Sequence, residues 1–336
     1  MELSAIILAA GKGTRMKSEL PKCAHTIIDK PMVEYVVDTL KELKIKKIVT
    51  VVGYNKEVLM DCLQDSVEYA IQEEQLGTAH AVMQAREKIE GMDGITIIAI
   101  GDMPFIKKDT LYSLIINHMQ EGAKLTVLSV DHPQPYGYGR IVRDNNNQVV
   151  GIVEERDCTK EQSMIREINA SVYAVETELL FDALDEIENN NSQKEYYLTD
   201  LVKIFNNKGL RVCGYKANDY QELSGINTQN QLADMEEEYQ RKIIDKHLFN
   251  GVSIHNRSTV VIGKNVKIEA GASIMSNVVI TGKSEIEKNA KIGPMSIIKD
   301  SIVRTGANIA YSIVENSIIN EKEVVLPFSN IKNKKD

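Results

Sequence analysis

Three features of the chain predict its fold class, an α/β domain followed by a parallel β-helix. Apolar β-branched runs alternate with amphipathic stretches over the first two thirds, as in a parallel sheet with helices on both faces. Isoleucine then recurs at every sixth residue from Ile262 to Ile298, a period that fits a β-helix and neither a 3.6-residue helix nor hairpins. The third feature is the start, where the apolar run Ile6 to Ala10 opens into Gly11-Lys12-Gly13-Thr14-Arg15-Met16, a buried strand entering a loop whose backbone a ligand can approach.

Composition bounds the function. A chain of 336 residues, 43% hydrophobic, is long enough for two packed domains. Net charge is −8, so nucleic acid is not expected as a partner, and local cations must do any phosphate binding. The four cysteines, Cys23, Cys62, Cys158 and Cys213, stand apart with no Cys-x-x-Cys pair. Neither a zinc site nor a disulfide framework is expected, which suits a reducing cytoplasm. No run approaches the ~18 apolar residues of a membrane span, and no charged leader precedes the first strand, so neither membrane nor secretion is expected.

In the first loop, small residues at Ala9, Ala10, Gly11 and Gly13 are expected to leave N–H groups uncovered for anionic oxygens, with Lys12 and Arg15 adding positive charge. The loop lacks the GxxxxGK[ST] pattern, and Met16 stands where GxGxxG needs its third glycine. A tight strand-to-helix turn is the competing reading. Val33–Leu43 and Lys56–Leu63 read as helices, and Lys47–Gly53, Ile95–Ile100, Lys124–Val130 and Val149–Val153 as strands.

Ligands of such sheets bind beyond the carboxyl ends of the strands, so the loops after Leu8 and Ile100 are where chemistry should collect. Gly101-Asp102-Met103-Pro104 places a carboxylate there; taken alone it reads equally as a divalent-cation ligand or as a turn before Pro104. The Gln72 amide can both donate and accept, as the edge of a heterocyclic base requires, and taken alone reads more readily as a surface amide without a function. Gly77 allows close approach, and Thr78 suits the cap of a helix from Val82 to Lys88. His80 reads as a packed helix residue, with no second His or Cys at ligand spacing. Singly, Gly139, Glu154 and Asn169 read as a hairpin glycine, a solvated charge and a turn residue. Asn227 reads as the N-cap of a long helix, about Gln231 to His247.

In the six-residue series, Val266, Ala272, Val278, Ala290 and Ser296 fall four residues after its members, and Gly263, Gly271, Gly282 and Gly293 are expected at the corners. After Ile298 the register slips, and the charged tail Lys332–Asp336 is expected to fray.

Leu8–Met16 followed by Leu20-Pro21-Lys22, Gly101-Asp102-x-Pro104, Gln75-Leu-Gly-Thr-x-His-Ala81, Tyr136–Ile141, Glu195–Asp200 and Asn227 together resemble the sugar-nucleotide pyrophosphorylases. The likeness is greatest to the bacterial N-acetylglucosamine-1-phosphate uridylyltransferases. It implies a Rossmann-like nucleotidyltransferase domain over 1–227, a linker helix over 228–250 and a left-handed β-helix of hexapeptide repeats over 251–330. The implied reaction joins UTP and N-acetylglucosamine 1-phosphate by Mg²⁺-dependent in-line displacement of pyrophosphate. Carried over residue by residue, Lys22 and Arg15 are catalytic, and Leu8, Ala9, Ala10, Gly11, Gly13 and Thr14 bind substrate, the Gly11–Thr14 loop with Arg15 holding the leaving pyrophosphate. Gln72, Gly77 and Thr78 take uracil; Gly139, Glu154 and Asn169 take the sugar; Asp102 and Asn227 hold Mg²⁺. The segment Glu195–Asp200 would start a helix beneath the sugar.

This chain departs from the family at Ala170-Ser171, where Thr-Gly is usual, at Ala79, where Gly is usual, and at Gln229, where Arg is frequent. Its β-helix stops near Phe328, before the coils on which the family carries acetyl transfer, so the uridylyl step is expected without the acetyl step. Hexapeptide β-helices resemble a trimeric group, which implies a homotrimer. The alternatives are a pyrophosphorylase for another sugar 1-phosphate or nucleotide, and a catalytically silent sensor or scaffold.

Overall fold

The computed structural model describes residues 2–335. The chain divides into two compact units: Met1–His25 with Pro31–Thr228, and Thr26–Lys30 with Gln229–Asp336.

The first unit is built on a nine-stranded sheet. Its strands are β1 (Glu2–Leu8), β2 (Lys47–Val52), β3 (Glu68–Ile71), β4 (Gly94–Ile100), β5 (Leu125–Asp131), β6 (Arg140–Arg143), β7 (Val149–Val153), β8 (Glu167–Glu176) and β9 (Val212–Ala217). The order is β9-β5-β8-β4-β1-β2-β3, with the β6–β7 hairpin joined to it through β8. Strand β1 lies between β4 and β2 and parallel to both, so Leu8 is level with Ile100 and with Val51. That register sets the loops after Leu8 and Ile100 side by side.

The period of two along β1 sorts its side chains between two cores. Ala5 and Ile7 pack with Val33, Val36 and Leu40 of the helix Met32–Glu42 and with Leu111 and Leu114 of Lys108–Gln120. Ile6 faces the other layer, with Val82, Leu180, Leu201 and Phe205 from the helices Thr78–Met83, Thr177–Leu184 and Leu201–Asn207. Each such side chain, fully buried, contributes about 1.5–3 kcal/mol.

Two expectations need correction. The sheet is not wholly parallel: β8 runs antiparallel to β4 and β5, because the chain reaches it through the β6–β7 hairpin and not through a crossover helix. The helix expected over Val82–Lys88 is two short ones, Thr78–Met83 and Arg86–Ile89. Thr78 is therefore inside the first helix, whose N-cap is Gly77.

The second unit opens with the helix Gln229–Phe249 and continues as three parallel sheets of two- and three-residue strands, the three sides of a parallel β-helix. Down one side stack Ile262, Ile280, Ile298, Val314 and Ile331. The first two steps in that column are eighteen residues, the next sixteen and the last seventeen, which is the physical form of the register slip after Ile298. Buried serines fill the shortened coils. Ser301 donates its N–H to Ser284 Oγ at 3.2 Å, Ser317 to Ser301 Oγ at 3.1 Å, and Ser329 to Ser312 Oγ at 3.3 Å. A hydroxyl thus takes the N–H that a buried backbone cannot leave unpaired. Of the four corner glycines expected, only Gly271 and Gly282 have positive φ; Asn277, Asn289, Asp300 and Asn316 hold left-handed turns as well. Asn and Asp tolerate that region through their short polar side chains.

Within the same unit, the Asp29 carboxylate accepts the Gly282 N–H at 3.0 Å, and Glu236 accepts that of Ile28 at 2.7 Å. Among the described residues no helix is long and apolar enough to cross a membrane.

Candidate active site

The glycine loop leaves β1 with its backbone partly committed. Ala9 donates its N–H to Val51 O at 2.9 Å, and the Ala10 carbonyl accepts the Tyr54 N–H at 3.2 Å. The Ala10 side chain joins the core. The expectation that Ala9 offers its N–H to a ligand is therefore corrected: the sheet takes that group. Among the described residues, Gly11, Lys12, Gly13 and Thr14 donate no backbone N–H to another backbone group, so these four remain to meet anionic oxygens. Gly13 has φ +68°, and a Cβ there would lie 2.5 Å from Lys22 Cβ. Only glycine lets the Lys22 stem pass over the loop.

Lys22 opens a short 3₁₀ turn behind Pro21, whose φ is −53°. Its ammonium forms an ion pair with Asp102 Oδ2 and donates to Asn227 Oδ1 at 2.6 Å. Arg15 Nη2 reaches the same Asn227 oxygen at 2.8 Å. The Ile226 N–H donates to the Asp102 carbonyl at 3.0 Å, which brings Asn227 to the end of β4. Two cations from the loop after β1, a carboxylate from the end of β4 and an amide at residue 227 thus converge.

They line a cleft of about 430 Å³ beyond Leu8 and Ile100. It gathers Leu8, Ala9, Gly11, Gly13, Thr14, Arg15, Lys22, Gln72, Gly77, Thr78, Asp102 and Asn227. Three cations, Lys12, Arg15 and Lys22, face two carboxylates, Asp102 and Glu195. A chain of net charge −8 therefore carries one locally cationic hollow.

Asp102 bears on the metal expected there. Its Oδ1 is buried and, among the described residues, has no hydrogen-bond partner. A buried carboxylate oxygen without a donor is costly, and a hard divalent cation would repay that cost. Asn227 supplies an oxygen of the right kind in the same cleft, where it accepts from Lys22 and Arg15. Among the described residues no three His, Cys, Asp or Glu side chains gather as a metal cage. A cation sharing its oxygens with substrate phosphates, as Mg²⁺ does, is the kind these residues fit. Beside the pair, burial first and then the Asp102 charge push the Cys23 thiol up to about 12, so it stays neutral at physiological pH.

Elsewhere in the cleft lining, Gly77 has φ +122°, and a Cβ there would fall 2.5 Å from Tyr196 O. This close approach is a backbone pairing: Tyr196 donates to Leu76 O at 2.8 Å, and Ala79 to Tyr196 O at 2.9 Å. Thr78 Oγ1 accepts the Leu198 N–H at 3.0 Å. The buried Gln72 amide donates to Gly77 O at 3.2 Å and meets His80 Nδ1 at 3.0 Å. His80 bonds Gln84 through its other nitrogen and stays out of the cleft lining.

Gly139, Glu154 and Asn169 come together, but not in that lining. Asn169 donates its N–H to Gly139 O at 2.9 Å, and a Cβ on Gly139 would lie 3.6 Å from both Asn169 Cβ and Glu154 Oε1. Asn169 Nδ2 donates to the Tyr173 hydroxyl at 2.7 Å, and its Oδ1 accepts the Ser171 N–H at 2.9 Å. Glu154 lines a second hollow, about 520 Å³, with Tyr197, Thr199 and Asp200. Burial raises its pKa above the ordinary 4.5 and Thr199, donating at 3.3 Å, opposes this; the charges of Asp157, Asp200 and Glu195 add to the rise.

Sequence reasoning gave Gln75, Cys23 and Glu195 no place in this cleft, although all three line it. Gln75 and Glu195 lay within runs already singled out, Glu195 as part of a segment expected to start a helix beneath the sugar. The distant pairing of Leu76 with Tyr196 is what brings Glu195 in.

A family model described as nucleotidyl transferase matches residues 4–221. The bifunctional protein GlmU of Geobacillus sp. (strain WCH70) is 42% identical over 328 residues, 98% of this chain and 72% of its own. The protein of that name from Caldanaerobacter subterraneus subsp. tengcongensis is 41% identical over 331 residues, with the same two shares. That of Clostridium novyi (strain NT) is 41% identical over 333 residues, 99% of this chain and 73% of its own.

The Glu154 environment has a measurable consequence. A carboxyl whose folded pKa is raised favours folding fully below its unfolded value and loses that contribution as pH rises through the folded one. Glu154→Gln should therefore raise Tm at pH 7, and the gain should shrink toward zero by about pH 4. Thermal melts of both proteins across that range check this; a gain independent of pH would contradict it.

Proposed function

Because the chain belongs to the nucleotidyl transferase family, and within it to the group of the bifunctional GlmU proteins, we propose that it forms UDP-N-acetylglucosamine and pyrophosphate from UTP and N-acetylglucosamine 1-phosphate. The observation that carries this reading is the cluster of Arg15, Lys22, Asp102 and Asn227 around the glycine loop. A sugar-phosphate oxygen attacks the α-phosphorus of UTP; the new P–O bond forms as the bond to the β-phosphate oxygen breaks, and pyrophosphate leaves. No side-chain nucleophile is needed, because positioning and charge stabilisation carry phosphoryl-type transfer.

In this reading the N–H groups of Gly11–Thr14 and the Arg15 guanidinium hold the departing pyrophosphate. Lys22 stabilises charge that grows on the α-phosphoryl oxygens in the transition state. Gln72, Gly77 and Thr78 receive uracil, and Gly139, Glu154 and Asn169 receive the sugar. Asp102, through its buried Oδ1, and Asn227 would hold Mg²⁺. When bound, the ion would neutralise charge on the substrate phosphates.

We also propose a homotrimer built through the β-helix. Met295, Ile297, Tyr311 and Phe328 form an exposed apolar column around a groove of about 540 Å³. Met295, Tyr311 and Phe328 hold φ of +56°, +52° and +65°, a region bulky residues seldom occupy. Presenting large apolar groups from a strained turn suits burial against a second copy, and closed cyclic symmetry is the usual form of soluble homo-oligomers. Phe328→Asp should convert a trimer at micromolar concentration to monomers by light scattering. A monomeric parent, or a variant that stays trimeric, would sink this reading.

Pyrophosphate release measured across four nucleoside triphosphates and several sugar 1-phosphates tests the reaction. UTP with N-acetylglucosamine 1-phosphate should give the highest kcat/KM. A different preferred pair would reassign the substrates, and no release from any pair would favour a silent scaffold. Lys22→Ala should lower kcat by about thirtyfold to a thousandfold, corresponding to about 2–4 kcal/mol of lost transition-state stabilisation. Unchanged kcat in the folded variant would remove Lys22 from the mechanism.

A further inference from the structure

The pair Arg140–Glu155 takes no part in any role assigned so far. Arg140 is 1% exposed, on β6 opposite Val153 of β7 and Ile168 of β8. A guanidinium so buried is costly unless its charge is matched. Its Nη2 donates to Glu155 Oε2 at 2.7 Å, and its Nη1 to the Tyr138 carbonyl. The same Glu155 oxygen accepts the Gly137 N–H at 2.9 Å. One carboxylate and one guanidinium therefore tie residues 137 and 138 to residue 155.

The neighbours of those residues matter for function. Gly139 follows directly on the tied segment, and Glu154 directly precedes Glu155. Gly139 in turn accepts the Asn169 N–H. Tyr138 packs its ring against the first core and near His132, but the exposed Tyr136 and the left-handed Gly137, at φ +86°, are held at the Gly137 N–H by the Glu155 carboxylate just beyond β7. An apolar pair would fill the same space at lower desolvation cost; what it would lack is a hold on the Gly137 N–H and the Tyr138 carbonyl.

We propose that Arg140 and Glu155 are positioning residues that fix Gly139 and Glu154 for the sugar 1-phosphate, without touching it; this rests on the uridylyl-transfer reading above. The uracil-side groups Gln72, Gly77 and Thr78 lie in the other hollow, so the two substrates should respond differently.

The test is initial-rate kinetics of pyrophosphate release by the full chain, with UTP and N-acetylglucosamine 1-phosphate varied in turn. Glu155→Ala should raise KM for the sugar phosphate about fivefold or more while KM for UTP stays within about twofold. Glu155→Gln, which still offers an acceptor oxygen, should recover most of that rise. Should the alanine variant not fold, Glu155→Asp, too short to meet both Gly137 and Arg140, should show the same split. An unchanged sugar-phosphate KM, a parallel rise in both KM values, or a glutamine variant with a sugar-phosphate KM no better than that of the alanine variant would overturn the clamp. A parent enzyme inactive on these two substrates would overturn the uridylyl-transfer reading instead, and this proposal with it.

Discussion

The ion pair between Lys22 and Asp102 is the interaction on which the site depends. It joins the loop after β1 to the end of β4, two segments that the parallel register of those strands already sets level. Both side chains are mostly buried, so each charge has lost much of its hydration and stands only because the other is present. Gly13 clears the path of the Lys22 stem, and the Ile226 N–H brings Asn227 to share the ammonium. The pair also leaves Asp102 Oδ1 without a donor among the described residues. Charge is thus balanced on one side of the carboxylate and open on the other, as a site for a phosphate-bound cation should be.

The other half of the site is arranged by backbone pairing. Leu76, Thr78 and Ala79 are held by Tyr196 and Leu198, and the Thr199 hydroxyl reaches Glu154. A single short segment, 196–199, therefore bonds both the group read as binding the base and the group read as binding the sugar. Glu154 is half-buried and only partly compensated by Thr199, which costs stability once it is charged.

Much of this was legible in the residues themselves. The glycine loop after an apolar run announced β1 and its exit, because a strand period and a breaker are both local signals. The six-residue repeat announced the β-helix, because each coil must bury its isoleucine on the copy below. What failed had non-local causes. The direction of β8 depends on the hairpin before it. The Thr78 hydroxyl takes the Leu198 N–H in place of a cap, and the Ala9 N–H belongs to Val51. The separation of Gly139, Glu154 and Asn169 from the phosphate loop is invisible to motif order, which gives succession and not distance. The serine column that absorbs the shortened coils looked in sequence like a lost register.

The central claim is that Asp102 carries the protein's charge at the metal while restraining Lys22. The most direct test is the Mg²⁺ dependence of pyrophosphate release in the parent protein and in Asp102→Asn, which keeps shape and removes charge. The account predicts a Mg²⁺ midpoint raised about tenfold or more, with excess Mg²⁺ restoring the rate poorly. The same midpoint in both proteins would contradict it.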